Sequence, residues 1–188
     1  LLLFLHPNGF SASDYAEKLH LSSVCDDVKS IVVVPEALDE QNKEITNLLN
    51  MAEAAGLEMP GFSLTYVWNA GARVESSEFT SQIPPQQAAL LPFLFPDIAR
   101  SGYIRFNKDV DDVKFINQLL DSVEGEYSVD ADKLYVLGAS MGGAMTYKYA
   151  LSDNTKAKGI AVFCGFLGGD VEFDGNFAFS SAIYKNKK

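Results

Sequence analysis

Four short apolar runs govern what this chain can fold into: LLLFL at 1–5, SIVVVPEA at 30–37, KLYVLG at 133–138 and KGIAVFCG at 158–165. Each has strand length. Unbroken apolar runs of that length belong to strands covered on both faces, as in a parallel sheet. Between them lie helical patterns. ASDYAEKLH at 12–20 has Ser11 or Ser13 as cap. KEITNLLNMAEAAG at 43–56 stops at Gly56. KDVDDVKFINQLLDSV carries apolar residues at 110, 113, 116, 119, 120 and 123, a stripe of helical period. SLTYVWN at 63–69 reads as a strand or extended segment, and PPQQAALLPFLFPDIAR as an inserted helical turn or cap within 73–106. Buried strands alternating with helices predict an α/β fold with a mostly parallel sheet flanked by helices.

In such a sheet, sites form at the carboxyl ends of the strands. HPNGF, GASMGG and CGFLGG each follow a strand, so the three turns are expected on one edge. Gly138-Ala139-Ser140-Met141-Gly142 matches G-x-S-x-G, with a buried strand before it and a helical run after it. In that setting Ser140 is a candidate nucleophile, exposed on a tight corner. The Met141 N–H, at the amino end of the helix, is a candidate oxyanion donor. The backbone N–H of Asn8 is the candidate second donor, since Pro7 has none. The competing readings are a glycine-rich packing turn at 138–143 and an ordinary Asn-Gly turn at 8–9. A phosphate-cradling loop lacks its G-K-[ST].

A nucleophilic serine needs a base and an acid, which in this fold follow the serine in chain order. Both histidines, His6 and His20, precede Ser140. Asp170 follows the last strand and is the acid candidate. Asp111 and Asp112 suit the start of a helix, and Asp130 the turn before a strand. Trp68 and Asn69 either line the site or serve as core tryptophan and turn asparagine. PFLF at 92–95 is either a lid over an acyl group or a helix packing its own apolar face.

The 188 residues are expected to form a single domain, 1–188. A formal charge of −10 and no basic block argue against nucleic acid as a partner. No apolar stretch reaches the length of a membrane span. Two cysteines, Cys25 and Cys164, make neither a disulfide framework nor a zinc pattern. The chain opens inside a strand with no cationic leader, so no signal peptide is read there, and the domain is expected to be partial.

Four segments carry a likeness spanning most of 1–165. LHPNGFSASDYA resembles an LHGxGxSAxDFA oxyanion loop and helix, IVVVPEA a VVYPE strand, and VWNAGAR a cWN segment. DVDDVKFINQLLDSVEGEYSVDADKLYVLGASMGGAMTYKYA resembles a DDVgFi…Y.vD..rvYvtG.SaGGaMt run. Together they resemble the α/β-hydrolase esterases that group polyhydroxybutyrate depolymerases with feruloyl and acetyl-xylan esterases. Residues 38–62 and 73–106 diverge or are inserted, and Pro7 stands where that family usually has glycine.

The resemblance implies an α/β-hydrolase fold and a serine carboxylic ester hydrolase. Ser140 would form an acyl-enzyme on polysaccharide-linked acyl esters or hydroxyalkanoate polyesters, with no metal or organic cofactor. It implies a structural His6, an often secreted protein, and a triad acid and histidine beyond Lys188. On that expectation these residues alone make a poor catalyst. Two alternatives stay open: a catalytically inactive hydrolase-like binding protein, and an acyl-transferring enzyme that excludes water.

Overall fold

The computed structural model describes residues 1–54, 56, 63–77 and 85–167. Among them the strands are β1 (Leu2–Leu5), β2 (Val32–Val33), β3 (Arg73–Glu75), β4 (Tyr103–Arg105), β5 (Tyr135–Ala139) and β6 (Gly159–Phe163). The helices that position the site are α1 (Ala12–Lys18), α2 (Leu21–Val28), α3 (Lys43–Ala54), then three short ones, α4 (Pro85–Ala88), α5 (Leu91–Leu94) and α6 (Pro96–Ser101), followed by α7 (Asp112–Glu126) and α8 (Met141–Leu151).

β2, β1, β5 and β6 lie side by side in that order, every pair parallel. Leu2–Leu5 align with Tyr135–Gly138, and Tyr135–Ala139 with Gly159–Phe163. Leu3, Leu5 and Val136 are fully buried at the centre, each burial contributing about 1.5–3 kcal/mol. From β1 the chain runs outward to β2 on one side; from β5 it runs outward to β6 on the other. The order therefore reverses between β1 and β5. A crevice opens at such a reversal, outside the carboxyl ends of the strands.

α8 lies against β1, β5 and β6. Met141 to Thr146, Tyr149 and Ala150 are all buried, as expected of a helix that is apolar all round. α7 is amphipathic: Ile116 and Leu120 enter the core, and Asn117 Oδ1 accepts from the Tyr149 hydroxyl of α8 at 2.8 Å. Asp111 caps α7, accepting from the Lys114 N–H at 3.0 Å.

The structure departs from the sequence reading in three places. Residues 63–69 pair in no sheet but run as an irregular segment, whose Val67 and Trp68 are fully buried. Only Val32 and Val33 of the 30–37 run form a strand. The 73–106 stretch begins and ends in a strand, because β3 and β4 pair antiparallel, Val74 opposite Ile104. That ribbon ties the insertion's two ends together at its base. Leu91 and Phe95 of the insertion enter the core, whereas Phe93 is 83% exposed.

Candidate active site

The corner between β5 and α8 is built by exclusion. A Cβ on Gly138 would collide with the Gly142 carbonyl oxygen and the Thr146 hydroxyl. One on Gly142 would strike the Leu5 carbonyl oxygen and lie 2.5 Å from that of His6. Hence bare backbone at 138 and 142 lets the first turn of α8 rest on the end of β1. Gly143 and Gly165 press together in the same way, each crowded by the other's backbone and by Val162.

Ser140 absorbs the geometry of this corner. Its φ of 52° and ψ of −120° are unfavourable for a residue with a Cβ and cost about 1–3 kcal/mol. Its N–H donates to the Phe163 carbonyl at 2.9 Å, fastening the corner to β6. Although it holds the N-cap position of α8, its side chain makes no capping bond. The side chain is exposed, and its hydroxyl has no hydrogen-bond partner among the described residues. A serine at an N-cap normally satisfies a helix N–H; this one leaves the N–H groups of the first turn open. Met141 N–H is among them.

Opposite, β1 leads into a tight turn over Pro7–Phe10, closed by the Phe10 N–H on the Pro7 carbonyl at 3.3 Å. Gly9 supplies the left-handed φ of 78° that such a turn requires. Asn8 anchors the turn sideways: its side chain accepts from the Ser63 N–H at 2.9 Å and donates to the Ser63 carbonyl at 3.2 Å. Its backbone N–H has no partner among the described residues. The two candidate oxyanion donors, Asn8 and Met141, thus stand on adjacent strand ends with open N–H groups.

His6 is fully buried, and both ring nitrogens are occupied. Nε2 receives the Ala37 N–H at 3.0 Å, so it carries no proton. Nδ1 therefore holds the proton and donates to the Pro7 carbonyl at 2.8 Å. Such a ring has no free nitrogen to take a proton from Ser140. His20 is exposed at the joint between α1 and α2, with φ 50°. Asp130 shapes its own turn, accepting from Asp132 N–H at 3.0 Å and Lys133 Nζ at 2.9 Å. Asp170 lies outside the described residues. Cys25 and Cys164 are both free thiols. Among the described residues no histidine, cysteine, aspartate and glutamate group forms a metal cluster, and no helix is long and apolar enough to cross a membrane.

Trp68 and Asn69 are both buried. The indole N–H of Trp68 donates to the His6 carbonyl at 3.0 Å, and the indole packs tilted against the imidazole with centroids 5.0 Å apart. Three polar groups of Asn69 bond its neighbours. Its N–H goes to Asp112 Oδ2 at 2.6 Å, its side-chain amide to the Val110 carbonyl at 2.7 Å, and its carbonyl accepts from Lys148 Nζ at 2.7 Å. Trp68→Phe leaves the buried His6 carbonyl without its donor, and we expect a loss of about 1–3 kcal/mol in chemical denaturation.

A second buried polar cluster had no signal in the sequence beyond asparagines next to apolar runs. Asn107, fully buried, accepts from Gln41 N–H at 2.6 Å and donates to the Val67 carbonyl at 2.5 Å. Glu40 Oε1 takes the N–H groups of Asn42 and Asn107 at 2.7 and 2.9 Å. These bonds hold the 39–42 loop and the 64–67 segment to the end of β4.

Burial lowers the His6 pKa, opposed by its bond to Pro7 and by Glu36. The unfolded chain takes up a proton near the ordinary imidazole value of about 6.5, and the folded ring resists it. Stability from this group is complete above that pH and is lost as pH falls through it. Burial raises the carboxyls of Glu40 and Asp112. Their sign is opposite, adding stability as pH falls toward the ordinary carboxylate range. We therefore expect the stability gap between wild type and His6→Asn to narrow between pH 7.5 and 5.5. A gap constant with pH would contradict the buried neutral ring.

No family model matches the chain, and no curated protein matches its sequence significantly.

Proposed function

We propose that this protein is a serine carboxylic ester hydrolase of α/β-hydrolase type, with Ser140 as nucleophile. The observation that carries the reading is Ser140 itself: a strained residue at the sheet's reversal point whose hydroxyl neither caps its helix nor pairs with a described residue. Strain at a solvent-facing serine has no value for folding, and its presence points to function.

In the proposed reaction Ser140 Oγ attacks the ester carbonyl, and the carbonyl oxygen becomes an oxyanion. The open N–H groups of Met141 and Asn8 receive that charge, aided by the amino end of α8. Collapse expels the alcohol and leaves an acyl-Ser140, which water then hydrolyses. The required base is neither His6 nor His20. It, and the acid that orients it, come from outside the described residues. Polysaccharide-linked acyl groups and hydroxyalkanoate esters are the substrate classes the resemblance suggests.

The complete encoded protein, mixed with p-nitrophenyl acetate, should release a burst of p-nitrophenol matching the enzyme concentration, then a slower steady rate. Linear release at the buffer rate would favour the alternative, a hydrolase-like binding protein, which the lack of a base among the described residues also suits.

A further inference from the structure

We infer that His6 is a positioning residue: by holding the Pro7 carbonyl it aims the Asn8 N–H at the substrate oxyanion. This rests on the esterase reading of Ser140 and adds to it the means by which one donor is oriented. In a trans peptide the C=O and the following N–H point in opposite directions, and no cis peptide occurs among the described residues. The Pro7 carbonyl is drawn inward to the buried imidazole at 2.8 Å. The Asn8 N–H, on the other side of the same plane, therefore faces away from the core.

One further bond keeps the ring from turning, and a second bond with a packing contact fixes its backbone. The Ala37 N–H fixes Nε2 at 3.0 Å and selects the tautomer with the proton on Nδ1. The Trp68 indole fixes the His6 carbonyl at 3.0 Å, and the first turn of α8 lies against that carbonyl. The Phe10 N–H also reaches the Pro7 carbonyl, but at 3.3 Å, so the imidazole makes the shorter bond. The chain thus fixes its loop from within, although Pro7 removes one N–H from it.

Two substitutions separate the ring's two duties. Asparagine places an amide nitrogen where Nδ1 lies, so His6→Asn keeps the donor to Pro7 and gives up the anchor to Ala37. His6→Gln reaches the Nε2 position instead, keeping an acceptor for Ala37 and giving up the hold on Pro7. With p-nitrophenyl acetate and the complete encoded protein, we expect His6→Gln to lower kcat about tenfold with KM nearly unchanged, a fraction of the 10²–10³ lost when an oxyanion donor is deleted. His6→Asn should recover most of that kcat while melting at a lower temperature than wild type. If His6→Gln fails to fold, His6→Leu replaces it: kcat lowered in His6→Leu and recovered in His6→Asn is the expected result, and equal kcat in the two overturns the inference. Equal kcat in His6→Gln and wild type, or kcat lost in His6→Asn, overturns the inference and leaves the esterase reading intact. An inactive wild type overturns both.

Discussion

Ser140→Ala is expected to lower the turnover of p-nitrophenyl acetate by about 10⁴-fold or more, because removing a nucleophile leaves only binding and oxyanion stabilisation. The folded state should barely change, since the hydroxyl holds no described group in place. Ser140→Gly sharpens the comparison. Alanine inherits the strained φ of 52°, whereas glycine adopts it freely. The glycine variant should be the more stable of the two by about 1 kcal/mol and equally inactive. Activity lost together with relief of strain is what a residue strained for catalysis shows. A packing turn shows relief of strain alone.

The second large effect is on folding. In Gly142→Ala the new methyl meets two backbone carbonyls, those of Leu5 and His6. Backbone cannot rotate away as a side chain does, so α8 must lift from β1. We expect a loss of about 3 kcal/mol or more, or roughly 10 °C in the melting midpoint. The same substitution at Gly125, near the end of α7, meets nothing within 4 Å. There the gain in helix propensity should stabilise by about 0.5–1 kcal/mol. Scanning calorimetry of the two variants tests whether the glycines of the corner are present for contact or only for flexibility. Equal effects of the two substitutions would contradict the contact argument.

The cover expected on both faces is not met along β6, whose Ile160 and Phe163 are exposed, yet the sheet was legible because its strands print themselves as unbroken apolar runs: β1 and β6 fall inside LLLFL and KGIAVFCG, and β5 runs one residue past KLYVLG. β3 and β4 were not. Each has three residues, RVE and YIR, and pairs across an insertion nearly thirty residues long, so no local pattern announces either. α2 escaped for a related reason: SSVCDDV carries few apolar residues, and its start at the exposed, left-handed His20 lacks a side-chain cap. At the site, the corner glycines and serine were readable from residue type, since small residues beside a serine after a strand leave few packing solutions. The orientation of Trp68 and Asn69 was not readable. A VWN segment states that an indole and an amide are neighbours, but not that the indole N–H turns inward to the His6 carbonyl, or that the Asn69 backbone N–H goes to Asp112 and its side-chain amide to Val110. The pairing of His6 with Ala37 and Pro7 was hidden as well, because two partners 31 and 1 residues away leave no spacing rule to follow.

The central claim is that position 140 presents a reactive hydroxyl beside two open N–H groups. Treatment of the complete encoded protein with a fluorophosphonate, followed by peptide mass mapping, tests it most directly. The account predicts one phosphonyl group per chain, attached to Ser140 and blocked by a competing acyl ester. A chain that stays unlabelled, or carries the label on another residue, would contradict it.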